Sequence, residues 1–141
     1  SLPDYSVGRG TETPFLFVGA NWLNVESLLV RLRQADLPGG GFYSVQRAPT
    51  GYRLAGPTIP GVQISVLDRD NLQPTRVGLE IASALYDLHR DRIDLNHTVS
   101  LIGDRDTIEG LKAGRRAVSL WVDWQKQRSA FIALRAPYLI Y

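Results

Sequence analysis

The sequence predicts an α+β domain in which a small, curved, mixed β-sheet packs with about four helices. Segments with strand-like alternation and segments with helical periodicity are interleaved along the chain, and the strand-like segments are few. No glycine fingerprint of a phosphate-binding turn accompanies them. With 141 residues, 44% hydrophobic and 21% charged, the chain fits a single domain, residues 1–141.

The first apolar segments of the chain are short. Tyr5 to Val7 are β-prone, and we expect a short strand there. Phe15 to Val18 form an apolar run bounded by Pro14 and Gly19. This run fits either a short strand or one helical turn, because its length does not distinguish the two.

Between these segments lies a polar stretch, residues 8–13, that reads Gly-Arg-Gly-Thr-Glu-Thr. Glycine on both sides of Arg9 permits a positive φ or a close approach of the backbone to a partner. Arginine offers a planar fork of donors, while Glu12 and the threonines supply acceptors and hydroxyls. The spacing fits a loop held in a chosen shape, and it fits equally well a tight turn with a surface arginine.

The first helix is predicted to begin after Asn24, a good N-cap residue. The apolar residues that follow share one helical face: Val25, Leu28, Leu29 and Leu32. The sequence Leu-Pro-Gly-Gly-Gly at 37–41 ends this helix, and the alternation over 42–47 predicts a strand.

Residues 48–60 are rich in glycine, proline and threonine and predict a long loop or an irregular hairpin arm. Ordered loops of this length often carry function, and Tyr52 and Arg53 lie within this one. The alternative for both is an ordinary surface turn.

The most strand-like segment is 62–67, where Leu67 breaks the alternation and predicts burial of both faces near the strand's end. Asp68, Arg69 and Asp70 follow at once. Charged residues in that position suit a cleft, and they also suit a structural Asp–Arg pair.

Three further helices are expected in the second half of the chain, at 74–89, from about 104 to 114, and at 117–134. Residues 98–102 fit a short helical or extended run. For the third helix, Asp106 and Glu109 approximate a capping box. The predicted core face of the last helix comprises Ala117, Leu120, Trp121, Trp124 and Phe131. Residues 138–141, Tyr-Leu-Ile-Tyr, are expected to add a final strand to the sheet.

Composition excludes several classes of function. The chain has no cysteine, so it has no disulfide, thiol nucleophile or thiolate metal site. Its two histidines lack the spacing of a metal site, and we expect neither a metal nor another cofactor. The net charge is +2 with scattered arginines, which argues against nucleic acid, and the apolar runs are too short for a membrane span. Because the chain contains no methionine, we expect a processed chain or a fragment.

Four motifs follow one another along the chain. The first is Ser-Val-Gly-Arg-Gly-Thr-Glu-Thr-Pro-Phe at 6–15 with Gly-Ala-Asn-Trp at 19–22, and the second is Gly-Val-Gln-Ile-Ser-Val-Leu-Asp-Arg at 61–69. Val-Gly-Leu-Glu-Ile at 77–81 and the Tyr-Leu-Ile-Tyr terminus complete the set. Together they resemble the C-terminal domain of the DUF1343 family, whose corresponding strand reads G-V-x-I-x-V-x-D-R. That family includes exo-acting β-N-acetylmuramidases of peptidoglycan recycling (glycoside hydrolase family 171).

The resemblance implies a barrel-like domain that forms one wall of a substrate cleft. It implies catalytic glutamates in an N-terminal Rossmann-like domain that this chain lacks, so no catalytic residue is assigned here and the chain alone is expected to be inactive. The implied partners are that N-terminal domain of the same polypeptide and a muramyl saccharide, in a periplasmic or secreted bacterial protein. The implied substrate-binding or domain-interface residues are Arg9, Gly10, Thr11, Glu12, Tyr52 and Arg69.

Other functions remain open from the residues. Glycosidases need two carboxyl groups beside the scissile bond, and the sequence does not show that any two of Glu12, Asp68, Asp70 and Glu80 converge. A freestanding carbohydrate- or protein-binding module would use Trp22, Tyr43 and Tyr52 as stacking surfaces. A purely structural domain for subunit contacts would present a large apolar interface.

Overall fold

The structure, a computed structural model, describes residues 5–50 and 56–139. Its strands are β1 (Phe17–Gly19), β2 (Gly40–Arg47) and β3 (Ile59–Val66). Its helices are α1 (Val25–Gln34), α2 (Pro74–Leu88), α3 (Val99–Ile102), α4 (Arg105–Lys112) and α5 (Ala117–Arg135), with 3₁₀ turns at Leu95–Thr98 and Ala136–Tyr138. The predicted α+β class is confirmed, and the four longer helices are those expected.

The sheet is antiparallel, in the order β1-β3-β2. The sequence predicted a mixed sheet, whereas all the described strands pair antiparallel. The sheet that they form is open and does not close into a barrel. The strand expected at 5–7 is a single bridge, Ser6 to Gly19. The ambiguous run at 15–18 resolves in favour of a strand, which begins at Phe17.

The two faces of the sheet have different roles. Val18 and Val62 pair directly and belong to the main core with the helices. Because side chains alternate along a strand, the paired residues Phe17 and Gln63 lie on the opposite face. We call this opposite face the second face; Ile59 lies on it as well and is fully buried.

The helices on the core face form as their sequences predict. The Asn24 side chain accepts a hydrogen bond from the Ser27 N–H at 3.0 Å and caps α1. Leu28, Leu29 and Leu32 of α1 are buried, and each contributes about 1.5–3 kcal/mol by leaving water. Pro74 occupies the first turn of α2, where a missing N–H costs nothing.

Three predictions at element ends are wrong. Asp104, not Asp106, caps α4, because its extended backbone lets its carboxylate accept from the Asp106 N–H at 3.2 Å. Leu67 is 73% exposed, so the end of β3 is not buried on both faces. Tyr138 ends a 3₁₀ turn instead of starting a strand; residues 140 and 141 lie outside the described part of the chain.

The last helix also departs from its predicted face. Ala117 and Leu120 are buried, whereas Phe131 is 59% exposed. All of residues 126–139 are exposed. The face is correct only for the first half of α5, which packs against α2. Within the described residues, no helix combines the length and apolarity needed to cross a bilayer.

Candidate functional site

The candidate site is built on residues 8–15, the Arg9 loop, which is closed at its base by backbone hydrogen bonds. Ser6 and Gly19 exchange two such bonds, of 2.8 and 3.0 Å. At the far end of the loop the Phe15 N–H donates to the Val7 carbonyl at 2.7 Å. The loop therefore leaves and re-enters the fold at fixed points on the edge of β1.

Inside the loop, glycine and threonine set the backbone shape. Gly8 and Gly10 both have φ of +78°, a left-handed conformation that glycine adopts without steric cost. The Thr11 hydroxyl and N–H both donate to the Gly8 carbonyl, at 2.7 and 3.1 Å. The Thr11 hydroxyl oxygen in turn accepts from the Thr13 N–H at 3.3 Å. These hydrogen bonds fix the backbone conformation of the loop, which favours the first of the two interpretations of the sequence over a simple surface turn.

A buried glutamine ties the loop to the second face of the sheet. Gln63 is 3% exposed, and its amide group donates to the Thr13 hydroxyl at 3.3 Å. Its carbonyl oxygen accepts from the Arg47 guanidinium at 3.2 Å. Sequence reasoning did not single out Gln63, although a polar side chain between apolar neighbours in the middle of a strand signals a polar partner on that face.

The connection after β2 holds the other side of the loop. The Thr50 N–H and hydroxyl both donate to the Gly10 carbonyl, at 3.3 and 2.7 Å. Tyr43, which pairs with Gln63 across β2 and β3, lies on the same second face and is 48% exposed. The Arg9 loop and this tyrosine therefore share one side of the molecule.

The two charged residues of the loop, Arg9 and Glu12, are exposed. The Arg9 guanidinium carbon lies 5.6 Å from the centre of the Phe15 ring, a cation–π contact. Phe15 itself is 64% exposed and has φ of +66°. It also borders an apolar groove of about 340 Å³ between the β1 edge and α2, where burial raises the pKa of Tyr5.

The remaining predicted site residues are not gathered at the loop. Arg69 lies in the turn after β3. The Gly39 carbonyl holds this turn by accepting hydrogen bonds from the Leu67 and Asp68 N–H groups. This turn lies at one end of the paired strands β2 and β3, and the contact of Thr50 with Gly10 lies beyond the other end. The two strands pair over eight residues, a length of roughly 23 Å. Tyr52 and Arg53 lie outside the described residues.

Asp68 has a structural role in that turn. Its carboxylate accepts from the Asn71 side chain at 2.7 Å and from the Asp70 N–H at 3.0 Å. The Asn71 side-chain bond, followed by the backbone bonds, lowers the pKa of Asp68. The carboxylate stabilises the turn; the described part of the chain has no Asp68–Arg69 ion pair.

Most other aromatic and histidine candidates have structural roles. Trp22 packs partly buried against the core, in an edge-to-face contact with His89 whose ring centres lie 5.0 Å apart. The His89 Nε2 atom accepts from the Asn24 N–H at 3.3 Å. His97 lies 3.1 Å from the Asp94 carboxylate. Each histidine therefore contacts a residue of its own surroundings, the Asn24 backbone for His89 and Asp94 for His97.

A second cavity, of about 330 Å³, lies between α4 and α5 and is lined by charged residues and Trp124. Its carboxylates are engaged by neighbours: Asp104 accepts from the Thr107 hydroxyl and the Trp124 indole, and Asp123 pairs with Arg115 at 2.7 Å. The Thr107 hydrogen bond is the main cause of the lowered pKa of Asp104. This network fastens two helices together.

The candidate carboxylates lie in three separate parts of the fold. Glu12 is in the loop, Asp68 and Asp70 are in the turn after β3, and Glu80 is on α2, where burial raises its pKa despite nearby arginines. Among the residues that the structure describes, no group of three or more acidic or histidine side chains is placed to hold a metal ion.

Comparisons with known proteins agree with this domain's fold and motifs. The family model described as "Exo-beta-N-acetylmuramidase NamZ, C-terminal" matches residues 3–141. The peptidoglycan β-N-acetylmuramidase NamZ of Bacillus subtilis (strain 168) is 30% identical over 139 residues, which are 96% of this chain and 34% of the relative. The chain therefore spans about a third of that relative's length.

A solved structure shares the fold. The crystal structure of a DUF1343 family protein from Bacteroides fragilis NCTC 9343 superposes with a TM-score of 0.66 at 22% sequence identity. The match covers 98% of this chain and 38% of that chain.

Proposed function

The chain belongs to the family of the C-terminal domain of the exo-β-N-acetylmuramidase NamZ, and from this we propose that it forms one wall of the substrate cleft in a peptidoglycan-recycling exo-β-N-acetylmuramidase. The wall is formed by the Arg9 loop, in which Arg9, Gly10, Thr11 and Glu12 face the substrate or the other domain. In this proposal the catalytic carboxylates belong to an N-terminal domain of the same polypeptide, and this chain alone is inactive.

The observation that carries the proposal is the fixed presentation of Arg9. The loop around it is held by Gln63 and Thr50, while the guanidinium itself lies at the surface beside Phe15. A muramyl residue differs from a glucosaminyl residue by a lactyl ether that ends in a carboxylate. The planar fork of arginine suits a two-point hydrogen bond to that group.

The distribution of acidic residues supports an accessory role over a catalytic one. A glycosidase needs two carboxyl groups on either side of the scissile bond, about 5–9.5 Å apart. Glu12 is the acidic residue of the loop, and Asp68 is already engaged by Asn71. Both catalytic carboxyl groups are then expected from another domain.

The exposed end of α5 and the 3₁₀ turn that follows it support the presence of a partner domain. Phe131, Leu134 and Tyr138 recur at i, i+3 and i+7 and are 59%, 68% and 79% exposed; we call this row the α5 stripe. Apolar rows of this kind mark interaction sites. We assign the stripe to the N-terminal domain, because the NamZ relative extends well beyond the matched third of its length.

The rival function is a freestanding carbohydrate- or protein-binding module. Of its three proposed stacking residues, Trp22 packs against the core beside His89, and Tyr52 lies outside the described residues. Tyr43, 48% exposed on the second face, is consistent with either function. The module predicts saccharide binding by this chain alone; the cleft wall predicts an effect only in the two-domain protein.

The test joins this chain to its N-terminal domain and measures release of N-acetylmuramic acid from a chromogenic muramide, with and without this domain. Arg9→Ala is expected to lower kcat/KM about 10-fold or more, the effect of losing roughly 1.5 kcal/mol of charged hydrogen bonding. Arg33→Ala, an exposed arginine on α1, is the matched control. Full activity after removal of this domain, or unchanged constants for Arg9→Ala, would refute the cleft wall. Parallel Tyr52→Ala and Arg69→Ala variants test the other two predicted contacts.

A further inference from the structure

Phe15 has a backbone conformation that its side chain disfavours. Its φ of +66° lies in the left-handed region, which bulky residues rarely adopt. Glycine or asparagine at this position would remove or reduce the strain. Strain of this kind persists where the surrounding structure enforces it, and it concentrates at functional sites.

The neighbours of Phe15 enforce the conformation. The Phe15 N–H donates to the Val7 carbonyl at 2.7 Å, and the Leu16 carbonyl accepts from the Ile64 N–H at 2.7 Å. Phe17 follows as a fully buried residue of β1. The chain must therefore enter the sheet directly after Phe15, whose ring is left outside the core.

The result is an exposed aromatic ring beside a cation. The ring is 64% exposed, and the Arg9 guanidinium lies over it at 5.6 Å. The Phe15 ring and the groove that it borders form an apolar surface beside the Arg9 guanidinium, a group that can bind a carboxylate. A lactyl ether has the matching chemistry, because a methyl group and a carboxylate branch from the same carbon atom.

We propose that Phe15 is a specificity-determining residue that holds the Arg9 guanidinium in place and contacts the lactyl methyl group of a muramyl residue. The inference rests on the proposed function of the Arg9 loop. It explains why a strained phenylalanine occupies a position that glycine or asparagine would fill at lower cost. The ring selects the muramyl residue over a sugar that lacks the lactyl group.

The test uses Phe15→Asn and Phe15→Gly, which remove the ring and relieve the backbone, with Phe15→Tyr to retain the ring. In the full-length enzyme both ring-less variants are expected to raise KM for the chromogenic muramide about 10-fold, with kcat within about twofold; Phe15→Tyr should retain wild-type constants. The thermal midpoint of the 141-residue chain is expected to stay unchanged or to rise for both.

Two results would overturn the inference: an unchanged KM in the ring-less variants, or a fall in thermal midpoint in both, which would make the ring a structural element. A double variant with Arg9→Ala supplies a further readout, because removal of the ring should add little once the guanidinium is gone. If Arg9→Ala impairs turnover and Phe15→Asn does not, this inference alone fails. If neither does, the proposed function fails as well.

Discussion

Replacing Gly8 by alanine tests whether the Arg9 loop is locked onto the sheet. Gly8 is buried with φ of +78°, and a Cβ atom there would lie 3.1 Å from both the Phe17 Cβ and the Thr13 carbonyl oxygen. Gly114, after α4, provides a matched control with φ of +79° and no atom within 4 Å of the added Cβ. The two substitutions share the backbone strain and differ in the crowding.

The expected magnitudes follow from that difference. A left-handed alanine costs about 1–2 kcal/mol, offset by about 0.4–1 kcal/mol from the less flexible unfolded chain. Gly114→Ala should therefore lower the free energy of unfolding by about 1 kcal/mol. Crowding against the backbone and Phe17 adds about 1–3 kcal/mol, so Gly8→Ala should lose about 2–4 kcal/mol.

Urea denaturation of the two variants measures the difference. At an m value of about 2 kcal/mol/M, the midpoint of Gly8→Ala should lie about 1 M below that of Gly114→Ala, with m unchanged in both. In the full-length enzyme, Gly8→Ala should also reduce kcat/KM, whereas Gly114→Ala should not. Equal midpoints would refute the packing of the loop on Phe17, and with it the rigidity on which the presentation of Arg9 depends.

Three further changes test other parts of the structure. Gln63→Leu should lower the unfolding free energy by about 1–2 kcal/mol, since it removes hydrogen bonds to the loop threonine and Arg47; a urea midpoint equal to wild type would contradict this. Asp104 has a lowered pKa, so the stability it contributes is present above its ordinary pKa and is lost as pH falls through the folded value. Asp104→Asn should therefore flatten the decline in stability as the pH falls below about 4, measured by circular dichroism. Leu134→Glu, on the α5 stripe, should leave the stability of this chain within about 0.5 kcal/mol but speed proteolysis between the domains of the full-length protein, and identical cleavage rates would count against docking there.

The elements of the core face could be predicted because their signals are local. Apolar residues at helical spacing placed α1 and α2, and Asn24 and Pro74 marked where each begins. These signals depend on a few neighbouring residues, so tertiary contacts seldom override them. The same holds for the predicted breaks at glycine and proline.

The errors arose where long-range contacts decide the outcome. Leu67 is apolar, yet it is exposed in the turn after β3, where the distant Gly39 carbonyl accepts hydrogen bonds from the Leu67 and Asp68 N–H groups. The second half of α5 has apolar residues and no covering surface within the described chain, so Phe131 is exposed. Periodicity identifies an apolar residue as a core candidate but does not say which protein or domain covers it.

The candidate site was only partly predictable for the same reason. The motif around Arg9 was visible in the sequence, whereas its attachment to Gln63 and Thr50 joins residues 40 and more positions apart. Nothing local distinguishes Phe15 from an ordinary strand residue, because its left-handed backbone is imposed by bonds to Val7 and to the β3 strand beyond Leu16. Arg69 resembled a site residue by motif, yet it follows the other end of β3.

The separation of the two sheet faces explains how such a small domain can hold a strained loop. Val18 and Val62 bury one face against the helices, and this core supplies the stability. The second face carries Phe17 and Gln63, to which the loop is fixed. Because the loop contributes little to the main core, strain at Phe15 lowers stability without endangering the fold. Substitutions of the exposed loop residues Arg9, Glu12 and Phe15 should therefore alter substrate binding at modest cost in stability, whereas substitutions on the core face should reduce both together.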